Sequence, residues 1–195
     1  MNTKHTTEVS TNTVPIIDLP WLYRILEIRN IQLSQGKFRF CAVLFHDKAT
    51  LSVSWISNHQ DQRLDSGQLV TPRWPSKSIC SDGQIMVNRL LPVSSPSLTN
   101  LFETVPHEWL VDRALLAEAH AFIGLLPDYF VRLFNGIFLD HRRFYRFIIG
   151  PSSLNGHHHD KHGNLRHSIE VTKNALLNSQ DRPTVSKAVL IMAAL

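Results

Sequence analysis

The sequence predicts an α+β chain in which a small antiparallel barrel precedes a set of helices. Three observations carry that prediction. Apolar residues alternate with a period of two between residues 37 and 56; the period becomes helical beyond residue 97; and between the two lies Ser94-Ser95-Pro96-Ser97, a stretch of turn formers that reads as a linker.

Residues 1–20 carry Thr, Asn and Ser with Pro15 and Pro20, a composition that favours a loose leader. Residues 23–33 set Ile25, Ile28, Ile31 and Leu33 in an imperfect alternation, which predicts a bulged strand, and Ser34-Gln35-Gly36 then turns the chain. Residues 37–45 put Phe38, Phe40, Ala42 and Leu44 on one face, and Lys37, Arg39, Cys41 and Val43 on the other. After the turn His46-Asp47-Lys48, Leu51, Val53 and Trp55 alternate with Ser52, Ser54 and Ile56, so the two runs predict a hairpin. A polar stretch leads to a fourth strand at 68–74, which Pro72 confines to an edge or a bulge. Beyond the turn Ser81-Asp82-Gly83 a fifth strand is expected at 84–93. Five short strands over 21–95 suit a small closed barrel such as the OB-fold.

Helices are expected next. Pro106, then Trp109, Leu110, Arg113, Leu116, Ala117, His120 and Ala121, predict a long amphipathic helix ending near Gly124. Asp128 is positioned to cap a helix closed by Gly136, and Asp140 another that carries Phe144, Phe147 and Ile148 and stops at Gly150-Pro151. Together they make a helical connector over 96–150. A His-rich loop follows, then a helix over 164–179 with Leu165, Ile169, Thr172 and Leu176 in one stripe. Pro183 introduces a last helix that runs into the apolar residues 188–195. Both final helices carry apolar residues on more than one side, which predicts a poorly covered segment. A chain end inside an apolar run reads as an interruption.

The composition is that of a globular protein: 195 residues, 43% hydrophobic and 18% charged, with a net charge of +4 that favours polyanionic partners weakly. Cys41 and Cys80 lack metal-ligand spacing and make no disulfide framework, so both are expected to be buried small apolar residues in a reducing, cytoplasmic setting. No apolar run approaches the roughly 20 residues needed to cross a bilayer, so no membrane partner is expected. Within the barrel, Lys37, Arg39 and Arg73 are the candidates for phosphate contacts, and Trp55 and Trp74 for base stacking, on single-stranded RNA or DNA. Trp55 shares the parity of Leu51 and Val53, which equally suits a core position.

Five of the eleven histidines lie between Gly156 and His167, in His157-His158-His159-Asp160-Lys161-His162 and at His167 itself. Imidazole ligates metals and, when protonated, binds phosphate. The run Pro151-Ser152-Ser153, His157-His158, Gly163, Leu165, His167-Ser168 resembles the start of the HD domain in YhaM-like 3′-5′ exoribonucleases, where an OB-fold domain and a helical linker come first. It is also similar to the HD-type domain of TraI or MobH relaxases. It departs from the pattern at His162, where the family has the first of two glycines, and at Asn164, where it has a leucine. The resemblance implies that 151–195 opens an all-α HD domain, with His167 the first metal ligand and His157 and His158, joined by His162, near the substrate phosphate. It implies Mn or Mg as the divalent metal and a phosphodiesterase acting on nucleic acid, or a DNA-transfer protein of the relaxase type. The family's His-Asp pair does not occur before Leu195, so this chain alone is expected to be inactive. A non-enzymatic nucleic-acid-binding module is the third expectation.

Overall fold

In the computed structural model the described residues are 19–59, 63–75, 80–81, 83–153 and 159–195. His157, His158 and all of the expected leader except Leu19 and Pro20 lie outside them. Among the described residues the chain is α+β: a curled mixed sheet of seven strands, followed by five α-helices.

The strands are β1 (Tyr23–Gln32), β2 (Phe38–His46), β3 (Ala49–Ser57), β4 (Leu69–Arg73), β5 (Cys80–Ser81), β6 (Gln84–Met86) and β7 (Arg89–Pro92). Strands β1, β2 and β3 form an antiparallel meander, and β1 carries the expected bulge between Ile25 and Glu27. The two-residue β5, which the alternation did not signal, pairs with β6 at one edge. Strand order across the sheet is β5-β6-β3-β2-β1-β4-β7.

The expected fifth strand is divided between two neighbours. Its first part, β6, runs parallel to β3 through Val53↔Ile85 and Ser54↔Met86, and Val87 N–H still donates to Ser54 O at 3.0 Å. At the next residue the chain changes partner: Asn88 N–H donates to Arg73 O at 2.7 Å, and β7 continues antiparallel to β4. Since β4 pairs with β1 through Tyr23↔Val70 and Arg24↔Leu69, residues 84–92 connect the two ends of the meander. Pro72 is tolerated because β1 pairs only with Leu69 and Val70, so the absent N–H of Pro72 lies beyond that ladder. Inside, Phe40, Ala42, Leu44, Leu51, Val53 and Trp55 form the sheet's core.

The helices are α1 (Arg113–Gly124), α2 (Asp128–Phe138), α3 (His141–Ile149), α4 (Gly163–Leu177) and α5 (Thr184–Ala194), preceded by a 3-10 turn at Leu101–Thr104. Helix α1 starts seven residues after Pro106, because the Asp112 carboxylate accepts from Leu115 N–H at 3.1 Å and caps it there. Asp128 is the first residue of α2 rather than its cap, and α2 continues through Gly136 to Phe138. Asp140 caps α3 as expected, accepting from Arg142 N–H at 2.9 Å and Arg143 N–H at 3.2 Å. These bonds, that from Arg143 first, pull the Asp140 carboxyl below its ordinary pKa. A carboxyl with a lowered folded-state pKa stabilises above the unfolded value and loses that contribution as pH falls through the folded one. Asp140→Ala should therefore cost about 1 kcal/mol at pH 7, with the gap from the parent closing in acid. Urea denaturation of both proteins at neutral pH and well below pH 3.8 checks this.

The helices enclose one apolar cluster built around Phe102, Phe134, Phe138, Phe144 and Phe147, with Phe138 within 4.7 Å of the Phe134 and Phe147 ring centroids. The last two helices belong to it: Leu165 and Ile169 of α4 are 0% and 1% exposed, and Ala188 and Ile191 of α5 are buried. The expectation of a poorly covered segment fails for Leu165 and Ile169, because α1 and α3 pack over that stripe. The cluster crosses residue 150 without a break, so the helices of 96–150 are part of a shared interior. The turn-rich 94–97 stretch is docked too: the Asn135 amide of α2 donates to Ser97 O at 2.7 Å and Thr99 O at 2.8 Å.

Candidate nucleic-acid interface

The outward face of the meander follows from its register. Ile31, Arg39 and Ile56 lie side by side across β1, β2 and β3, and in the next row Arg29 is exposed while its neighbours Cys41 and Ser54 are buried. Ile31 and Ile56 are more than half exposed, at 54% and 53%. The guanidinium of Arg39 donates to Gln84 Oε1 at 3.4 Å, which holds its head beside β6. Lys37 stands exposed where the β1–β2 turn re-enters the sheet, after Gln35 and Gly36 in the left-handed region at φ 65° and 70°. A shallow groove of about 150 Å³ runs over this face between Arg29 and Gln84, with Glu27 as its acidic member. Arg29, Lys37 and Arg39 thus outnumber one carboxylate on a surface that also offers two exposed isoleucines.

The sequence candidates divide. Lys37 and Arg39 belong to this face. Arg73 is exposed on β4, opposite Arg89 of β7, separated from β2 in the sheet by β1. Trp74 is half-buried against the core of the sheet, and its carbonyl accepts from the Asn88 amide at 3.3 Å. Trp55 is a correction: it is 3% exposed and stacks on Phe40 with ring centroids 5.0 Å apart and planes 9° apart, so its face is already occupied. Its parity with Leu51 and Val53 decided its side of the sheet.

His162 has φ 69° just before α4, and its Nδ1 lies 2.9 Å from Ile148 O, across the α3–α4 connection. His167 is exposed on α4. Among the described residues, the group of three metal-ligating side chains within 4.8 Å of one another is His46, Asp47 and Glu103, and it does not include His167. His157 and His158 are outside the described residues.

Sequence reasoning missed Arg29, Ile31 and Ile56 as candidate site residues: alternation put Ile56 opposite Trp55, but the imperfect pattern of residues 23–33 assigned Ile31 and Arg29 no side. It also missed a cavity of about 870 Å³ at the junction of β1 with α3, lined by Gly67, Asp65, Trp109, His141, Tyr145 and Arg146. Burial holds the His141 imidazole below its ordinary pKa there, against the pull of Asp140. Under that cavity lies Arg24, whose guanidinium faces the Trp109 and Phe144 rings at 4.8 and 5.0 Å. No protein-family model matches the chain, and no curated protein matches it at a significant level.

Proposed function

We propose that this chain is a single-stranded nucleic-acid-binding module whose reading surface is the outer β2–β3 face of an OB-like barrel. The observation that carries the proposal is the Ile31–Arg39–Ile56 row with Arg29 beside it and Lys37 at the adjoining turn. In an OB-fold the face of the second and third strands, with the loop between the first two, takes single-stranded nucleic acid. The pairing of residues 84–92, parallel to β3 and then antiparallel to β4, supports assigning that connectivity to this sheet. Cations there pair with phosphates, while the isoleucine side chains give base faces an apolar surface on which to rest. The reading asks nothing of His167, and nothing of a metal.

Anisotropy of a labelled oligo-dT or oligo-U tests it. Binding should weaken steadily as salt rises, and Lys37→Ala with Arg39→Ala should reduce low-salt affinity about tenfold and flatten the log–log salt slope by about 0.7 for each phosphate left unpaired. Arg73→Ala, off this face, should change little. Binding that ignores salt, or that survives the double substitution unchanged, would overturn the proposal.

A further inference from the structure

The cavity at the junction of β1 with α3 carries two kinds of charge, and they come from different elements. Arg142, Tyr145 and Arg146 are three and four residues apart, so they share one side of α3. All three line the cavity, as do Glu27 of β1, Asp65 of the β3–β4 connection and Glu108 of the loop before α1. No ion pair joins these guanidinia to these carboxylates among the described residues, so both sets remain open to a ligand. The volume of about 870 Å³ falls within the roughly 300–1,000 Å³ of small-molecule sites.

The base of the cavity is closely packed. Trp109 and Tyr145 meet edge to face, with ring centroids 4.8 Å and planes 74° apart, and Tyr145 is 41% exposed. Gly67 has φ 88°, and a Cβ on it would stand 3.2 Å from His141 Cδ2 and 3.6 Å from the Trp109 ring, so backbone, imidazole and indole close against one another. Burial holds the His141 ring toward its neutral form, and the charges of Asp140, Arg142, Arg24 and Asp65 are near enough to act on it. Arg24 lies beneath, over the Trp109 ring at 4.8 Å. Its guanidinium bonds are to Gly67 O, Thr104 O and Thr104 Oγ1, so this buried cation has no carboxylate of its own.

A ligand suited to these walls has an anionic end, a flat apolar body and an edge of N–H donors. Guanidinia only donate and pair bidentately with phosphate, whereas carboxylates only accept. Guanine presents a ring N–H and an amino group side by side, which matches the two oxygens of a carboxylate. We propose that the cavity binds a guanine nucleotide, with its phosphate on Arg142 and Arg146, its base against Tyr145 and Trp109, and its donor edge on the carboxylates. Glu27 also borders the groove on the outer face of the sheet. The nucleotide therefore comes either free from solution or as the end of a strand lying on that face, and only the second source rests on the nucleic-acid reading.

Calorimetric titration of the full chain with GMP, UMP and inorganic phosphate tests this. About one GMP should bind per chain, with UMP and phosphate at least about tenfold weaker. Tyr145→Ala and Arg146→Ala, both at exposed side chains, should each weaken GMP about tenfold with circular dichroism unchanged, while Tyr145→Phe keeps the affinity. Lys37→Ala with Arg39→Ala should leave GMP binding as it is, which separates this site from the sheet face. A short oligo-U with one terminal guanylate identifies the source. Tighter binding than plain oligo-U, lost in Tyr145→Ala, assigns the strand end, and equal binding alongside retained GMP affinity assigns the free nucleotide. Absence of GMP binding, phosphate binding as tight as GMP, or unchanged affinity in both alanine variants would overturn the proposal.

Discussion

Replacing Arg24 by Ala should destabilise the protein by about 3–5 kcal/mol, the largest effect expected of any single substitution. Arg24 is 0% exposed although it stands in β1 between two core residues, Tyr23 and Ile25. Its Nε donates to Thr104 O at 2.9 Å, Nη1 to Gly67 O at 2.6 Å and Nη2 to Thr104 Oγ1 at 2.8 Å. The same head lies over Trp109 and Phe144, so one side chain joins the first strand, the β3–β4 connection, the 3-10 turn and two parts of the helical layer. Burial lowers its pKa from the ordinary arginine value to about 9, which leaves it charged at neutral pH. Alanine would remove the cation–π contacts, leave two buried carbonyls without donors and open a void. Arg24→Met keeps most of the volume and removes the desolvated charge, so its loss should be smaller, about 1–2 kcal/mol, and confined to the unpaired carbonyls. Urea midpoints of the two variants against the parent decide the matter: an Arg24→Ala protein within about 1 kcal/mol of the parent would mean that the junction is held by other contacts.

Gly150→Ala should cost about 2–3 kcal/mol, for a reason unrelated to backbone freedom. Gly150 has φ −71°, which any residue adopts, but a methyl group on it would collide with the Arg146 carbonyl, and with that carbonyl Gly150 N–H makes the bond that ends α3, at 2.8 Å. The residue also accepts from Asn164 N–H at 2.9 Å, while Ile149 O accepts from His162 N–H at 3.1 Å. A shift that relieves the clash therefore pulls on the start of α4. Thermal unfolding should show the loss, while Gly124→Ala, where nothing stands within 4 Å of the added carbon, should be neutral or slightly stabilising.

How much of this was legible follows from what periodicity reports. Alternation gives the side of a strand a residue faces, so the β2–β3 hairpin, the β1 bulge and the inward direction of Trp55 were all in the sequence. It does not give the neighbour, so nothing distinguished Arg24 from a solvent-facing arginine at a bulge. Helical spacing extended α1 back to Pro106 because Trp109 and Leu110 fit the wheel; Leu110 is buried from a loop, and the Asp112 cap sets the true start. Leu165 and Ile169 looked uncovered because a sequence stripe does not say which helix comes to meet it. His46 and Asp47 at the end of β2 and Glu103 in the 3-10 turn are far apart in sequence, at no spacing that a motif could carry. The bond from Asp47 N–H to Glu103 O, at 2.8 Å, joins their two turns.

Leu22 and Leu69 come from the sheet side of the chain, yet both lie inside the cluster that the helices enclose. A polypeptide divided at the docked 94–97 stretch would therefore not give two finished proteins. The first piece would carry two leucines and an arginine shaped for an interior it no longer has, and the second would present a phenylalanine-lined recess missing part of its wall. Such pieces are complementary, and mixed in solution they should find each other and rebuild the parent, each acting as the other's missing ligand.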